Sequence, residues 1–330
     1  MKYIILSDIH ANYTALEAVL DVAGLALPEA KFYFLGDLLG YGPYKHAHRC
    51  LEWLRDLDTE GLLHWVPGNH DAWAVARLGK MRTEGLVTLL IQSERLPQDQ
   101  PEDWNWFKRY VQDAPSKLTE RLSNDLLLVF AHGSPESRDA YLWPWMDSLL
   151  RRPFRTLAEL TNVNAKILFC GHSHLPFLAE IKPNGGRSIE FHSIRYGEPI
   201  TLDRGEYIVN PGSVGHPRDG DKRAAFAIFE PETRILTFHR VEYDTEPIIQ
   251  ALRKEQDRIQ TLEALVKYEK STEKRIPLQM KAEYRKRVKD AYKRLIHEIE
   301  TGDGGKEMQY YLDRVYHRTQ EGNLQAINAE

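Results

Sequence analysis

Two cysteines in 330 residues cannot build a disulfide framework, and Cys170 closes an apolar, strand-like run where a buried thiol is the ordinary state. Cys50 and Cys170 are therefore read as structural. No apolar run approaches the roughly 20 residues needed to cross a bilayer, which argues against a helical membrane span. The apolar run at residues 2–6 is too short for a secretory h-region and has no small-residue cleavage site behind it, so a first strand and a cytoplasmic protein without a membrane partner are expected. Excess charge is lacking too: a formal net charge of -4 and a pI near 6.4 give no overall pull toward nucleic acid or anionic lipid, and any polyanion must be held locally. Tandem repeats and low-complexity stretches are not seen. What is present is ordinary: an apolar fraction of 42% and a charged fraction of 28% describe a folded chain, long enough for one large domain with an appendage or for two domains.

Up to residue 243, short apolar runs alternate with helix-like segments, an α/β pattern. Strands are predicted at 3–6, 32–35, 62–66, 126–131 and 166–170, with an amphipathic helix at 14–22. Beyond Pro176 shorter alternating strands flank Asn184-Gly185-Gly186, a turn sequence that tolerates positive φ. A second, largely antiparallel sheet is expected there, with later strands at 206–209, 224–229 and 235–240. From about Thr245 the texture becomes highly charged, with apolar residues at helical spacing (Ile248, Leu252, Ile259, Leu262, Val266, then Tyr284, Val288, Tyr292, Leu295, Ile299). The expected division is an α/β domain at 1–243 and a charged helical extension at 244–330.

Chemistry concentrates where the apolar runs end: Asp8-Ile9-His10, Gly36-Asp37, Gly68-Asn69-His70-Asp71, Ala131-His132-Gly133 and Gly171-His172-Ser173-His174. In an open α/β sheet, ligands gather beyond the carboxyl ends of strands, so motifs far apart in sequence can share one crevice. Carboxylate, imidazole and amide donors without thiolate suit Mn, Fe, Zn, Ni or Co. Asp8 and His10, like His172 and His174, are two residues apart and reach one ion only from a loop or strand end. Taken singly, each dipeptide is weak evidence; the set of five is the signal. The other histidines, His46, His48, His64, His192, His216, His239, His297 and His317, read as ordinary surface or packed residues.

Together with G-D-L-L-G-Y-G-P at 36–43, A-H-G-S-P at 131–135, N-P-G-S-V-G at 210–215 and P-R-D-G-D at 217–221, this ordered series resembles the calcineurin-like metallophosphoesterase superfamily. Within it the nearest likeness is to the bacterial and archaeal branch of small phosphodiesterases of the YfcE type. The resemblance implies a four-layer αββα sandwich binding two divalent metal ions. It assigns Asp8, His10 and His174 to one ion, Asn69, His132 and His172 to the other, and Asp37 as the bridge. His70 would stabilise or protonate the departing oxygen, with Asp71 orienting its ring. The implied reaction is hydrolysis of a phosphate ester, a diester above all, by in-line attack of a metal-bridging hydroxide. Asn210 and the 212–215 turn would edge the site, either approaching a phosphate or simply turning the chain. Arg218 is a candidate substrate contact.

Substrate identity is less legible. Trp143, Pro144 and Trp145 follow the His132 motif and either overhang the site, stacking on a nucleotide base, or pack the excursion onto the core; packing is favoured. Trp104 and Trp106 read as structural. In the extension, Lys281, Arg285, Lys286, Arg287, Lys289, Lys293 and Arg294 form either a nucleic-acid-tracking face, which would make the enzyme a nuclease, or a solvated helix balanced by Glu283, Asp290 and Glu298. Its apolar stripes also suggest a homodimer. A non-catalytic scaffold of the same fold is the contrasting class, and it should have lost ligands; all eight positions here are filled.

Overall fold

A computed structural model of the chain describes residues 1–26, 30–76, 83–123, 126–144, 165–182, 188–203 and 205–255. Two compact units are distinguished, Met1–Lys80 with Thr88–Ala251 and Met81–Val87 with Leu252–Glu330. The first holds both sheets described below. A helix is described from 246 to 255; the rest of the extension, its second apolar stripe, the basic cluster, His297 and His317 lie outside the described residues, as do Trp145 and the Asn184–Gly186 turn.

The first sheet runs β3 (Leu63–Trp65), β2 (Ala30–Phe34), β1 (Lys2–Leu6), β11 (Ala224–Glu230), β12 (Ile235–Val241), β9 (Pro199–Thr201). Its first three strands are parallel, and β11, β12 and β9 continue it antiparallel. The second runs β4 (Lys117–Ser123), β5 (Leu126–Ala131), β6 (Ala165–Phe169), β10 (Glu206–Asn210), β7 (Phe177–Lys182), β8 (Ser188–His192), with β5, β6 and β10 parallel. The late strands thus do not make a sheet of their own. β7, β8 and β10 extend one sheet while β9, β11 and β12 extend the other, so both sheets are mixed. Strand alternation predicts a face, not a neighbour, which is why the partition was misread.

Why the parallel strands read as unbroken apolar runs is now plain: Ile4, Ile5 and Leu6 are buried on both faces. Inner faces meet in one core of Tyr3, Ile5, Tyr33 and Phe229 against Leu128, Phe130, Phe169 and Val209. Each large side chain withdrawn there contributes roughly 1.5–3 kcal/mol. Outside the first sheet, α1 (Tyr13–Ala26) and α2 (Tyr44–Thr59) bury Leu16, Val19, Cys50, Leu51 and Leu54. α5 (Pro101–Asp113) covers Trp65 with Phe107 and Tyr110 and buries Trp104. Among the described residues the helix–sheet–sheet order gives three layers of the expected four-layer αββα sandwich. Both cysteines are buried and free. No helix among the described residues is long and apolar enough to cross a membrane.

Candidate metal centre

Each candidate side chain leaves the end of a strand. Asp8 follows β1, Asp37 follows β2, Asn69 opens α3 (Asn69–Ala76) after β3, His132 follows β5, and His172 and His174 follow β6. Five of them, Asp8, His10, Asp37, His172 and His174, hold φ between 50° and 64°. For residues with a Cβ this left-handed backbone is uncommon, and runs of it gather at functional sites. Here it lets residues two apart aim into one space rather than stand a full pleat repeat, about 7 Å, apart along a strand. Glycine supplies the remaining room: a Cβ on Gly68 would stand 2.0 Å from Asp37 Oδ1.

Hydrogen bonds fix which atoms face inward. His10 Nδ1 donates to the Leu39 carbonyl (3.0 Å), His132 Nδ1 to Leu35 (2.6 Å) and His174 Nδ1 to His216 (2.5 Å), leaving each Nε2 turned to the interior. Asp8 Oδ2 accepts from Ser7 Oγ (2.6 Å) and the His172 N–H (3.1 Å), while Oδ1 is buried with no partner. The inward atoms form two groups. In one, His174 Nε2 stands 3.2 Å from both Asp8 Oδ1 and His10 Nε2. In the other, His132 Nε2 lies 2.9 Å from Asn69 Oδ1, 3.2 Å from His172 Nδ1 and 3.3 Å from Asp37 Oδ2. Asp37 Oδ2 is also 3.7 Å from His10 Nε2, so a single oxygen faces both groups.

With their Nδ1 protons spent on carbonyls, the Nε2 atoms offer lone pairs, and acceptors converging at about 3 Å repel unless a cation lies among them. The donor set therefore fits divalent metal. Asp8, His10 and His174 form one cluster able to hold an ion, Asp37, His132 and His172 a second, and His10, Asp37 and His70 a third overlapping both. Electrostatics agree. Burial works against ionisation of Asp37, yet the His132 and His70 imidazoles hold its carboxyl well below the usual range. Burial, reinforced by His132, pushes His172 down to about 3, and burial with His70 pushes His10 well down, so both stay neutral and able to ligate. His132 is the exception. Burial opposes its charge, but Asp37 raises it to about 9.

Asp71 does not orient His70. Its carboxylate accepts the backbone N–H groups of Asp37 (2.8 Å), Leu38 (2.9 Å), Leu39 (3.4 Å) and Gly68 (2.9 Å), tying the β2 and β3 loops together. His70 Nδ1 is buried without a partner. Burial, and then the nearby Asp37 charge, lift Asp71 to about 6. Asn210 likewise braces a loop: its amide donates to Gly171 O (2.9 Å) and Ser173 Oγ (3.0 Å) and accepts from the Gly212 N–H (2.9 Å). Ser213 Oγ donates to Asp8 O (2.7 Å), so the 210–215 segment holds the ligand loops.

Several neighbours were missed. His216, set aside as ordinary, stacks flat on Tyr41 (4.4 Å, 3°) and lies edge-on to His174. Tyr41 reaches Arg218, whose guanidinium donates to its hydroxyl at 3.3 Å. Tyr141 stacks on His172 (3.8 Å) and on Trp143 (4.6 Å), which places that excursion beside the site rather than only on the core. An aromatic directly following a ligand motif was the available signal for Tyr41; nothing local marked His216.

Known proteins resemble the chain in sequence and fold. Residues 1–234 match the calcineurin-like phosphoesterase superfamily domain. An uncharacterised protein of Methanocaldococcus jannaschii, MJ0912, is 29% identical over 252 residues, spanning 73% of this chain and 87% of its own. A crystal structure of a metallophosphoesterase from Sphaerobacter thermophilus is 32% identical, with a TM-score of 0.60 over 78% of this chain and 95% of that one. The hypothetical protein PH1004 of Pyrococcus horikoshii shares the fold at 22% identity, with a TM-score of 0.56 over 77% and 93% of the two chains.

Proposed function

The chain belongs to the calcineurin-like phosphoesterase superfamily, and from that premise we propose that it is a phosphodiesterase served by two divalent cations. The observation that carries the proposal is the pair of acceptor groups sharing Asp37 Oδ2, with Asp8 Oδ1 lacking any donor. Asp8, His10 and His174 would hold one ion, Asn69, His132 and His172 the other, and Asp37 both. Bound there, divalent cations supply Lewis-acid neutralisation of phosphoryl oxygens and acidify coordinated water.

The chain's own residues do the rest. Carbonyls of Leu35, Leu39 and His216 fix the imidazole tautomers, as partners beyond the ligands do in metal sites generally. His70 Nδ1 is sealed against the loop after β2, so Nε2 is the nitrogen that gives a proton to the departing ester oxygen. Asp71 keeps Asp37 in place through the backbone. The nucleic-acid and homodimer readings rest on extension residues outside those described.

A screen of bis(p-nitrophenyl) phosphate, p-nitrophenyl phosphate, nucleotides and short nucleic acids, with Mn, Ni, Zn and Mg supplied singly, tests the proposal. Diester turnover that needs added metal is expected. Absence of hydrolysis with every metal, together with no metal uptake in equilibrium dialysis, would falsify it.

A further inference from the structure

Gln92 is completely buried on α4 (Thr83–Asp99), and its amide spans the loop that follows β2. Its Oε1 accepts the Gly40 N–H at 2.7 Å, and its Nε2 donates to the Gly42 carbonyl at 2.7 Å. A buried amide with both ends on backbone two residues apart fixes that segment's position and tilt. Between the two bonds, Tyr41 takes φ 51°, a left-handed conformation that a bulky residue rarely adopts.

What this clamped segment touches is His70. A Cβ on Gly40, itself at φ 95°, would lie 2.4 Å from His70 Nδ1. The Tyr41 ring stands 5.0 Å from the imidazole, with Trp73 at 5.1 Å and His10 at 4.9 Å. No hydrogen bond holds Nδ1, and the neighbouring carboxylate of Asp71 is committed to backbone. The imidazole is therefore aimed by walls, and the wall of residues 40–42 is held from behind.

We propose that Gln92 is a positioning residue for His70: by clamping Gly40 and Gly42 it keeps Nε2 directed at the departing oxygen, which suits the enzyme to diesters of unactivated alcohols. The proposal rests on the reading of His70 as proton donor. A poor leaving group needs that proton in the transition state, whereas p-nitrophenolate leaves without it. Loss of the clamp should therefore discriminate between leaving groups, which a general loss of structure would not do.

Gln92→Met keeps side-chain length and apolar packing while deleting both bonds. With manganese saturating, kcat on diphenyl phosphate should fall roughly 10–100-fold, the scale of a misaimed catalytic group, and kcat on bis(p-nitrophenyl) phosphate less than about threefold, since little general-acid assistance is at stake there. KM and manganese stoichiometry should hold. Gly40→Ala crowds His70 directly from the face of that wall and should give the same split. Equal losses on both esters, or an unchanged rate on diphenyl phosphate, in Gln92→Met would overturn the proposal. Should Gln92→Met melt below the assay temperature, the same two-ester comparison run below its Tm decides by the same criteria. A wild-type chain that cleaves neither ester would instead refute the phosphodiesterase reading beneath it.

Discussion

Two carboxylate groupings in this molecule have opposite hydrogen-bond balances. Glu120 on β4 accepts the hydroxyl protons of Tyr3 at 2.8 Å and of Tyr33, joining the second sheet to the first. Burial, and then Glu120 itself, raise both phenols well above their ordinary range, so they remain donors. Asp8 and Asp37, just beyond strands of the same first sheet, turn an oxygen toward converging ring nitrogens instead, Asp8 Oδ1 toward His174 Nε2 and Asp37 Oδ2 toward His132 and His10 Nε2. Glu120 is satisfied by the fold. Asp8 is satisfied on one oxygen only, and its other oxygen, like Asp37 Oδ2, points into the space where the imidazole nitrogens converge. A closed carboxylate is a structural joint; an open one among acceptors is a place for a cation.

The most forceful way to break that contrast is Asp37→Ala. Removal of the one oxygen common to both groups should lower metal-saturated diester turnover by ~10³-fold or more, as losses in tightly coupled sites do, and a stopped assay at several manganese concentrations reads it. Full activity would mean the shared oxygen is incidental. Asp71→Asn sharpens the contrast at one remove. An amide can accept some of the four N–H groups, but its own NH₂ opposes the others, so Asp37 should drift and activity should fall roughly 10–100-fold. A smaller effect concerns stability. Cation binding at a hundred times Kd adds about 2.7 kcal/mol, which should raise Tm by roughly 4 °C in a chain of this size. Calorimetry with and without manganese should show that rise in the wild type and its loss in Asp37→Ala.

How much of this was legible depends on how local each cause is. Asp8, His10, Asp37, Asn69, His132, His172 and His174 announced themselves because strand end, glycine and donor chemistry coincide within a few residues of sequence. The addition of β11, β12 and β9 in turn beside β1 did not, since alternation carries no information about which sheet a strand joins. β4, with Lys117, Glu120 and Arg121 among its seven residues, hid as a charged edge. Asp71 was misassigned because chain adjacency to His70 suggested a ring contact, whereas helix geometry turns its carboxylate onto two loops. Gln92 was passed over where α4 turns from Leu89-Leu90-Ile91 to Ser93-Glu94-Arg95 and an amide looks ordinary. Only the fold says that it is buried and that its partners are Gly40 and Gly42.

The gentlest probe of the comparison is Tyr33→Phe. The ring, stacked 4.1 Å from Phe130 and 4.6 Å from His64, should stay where it is, and only the hydroxyl bond to Glu120 disappears. Tyr3 still donates to the carboxylate, and the half-buried Glu120 can take water in place of the lost donor, so the cost should be about 1 kcal/mol in urea unfolding. Because the joint needs no ion, the manganese-induced rise in Tm and the diester turnover should both survive intact. If Tyr33→Phe abolished the manganese response, the two carboxylate groupings would be parts of one system, and the distinction between closed and open would fail.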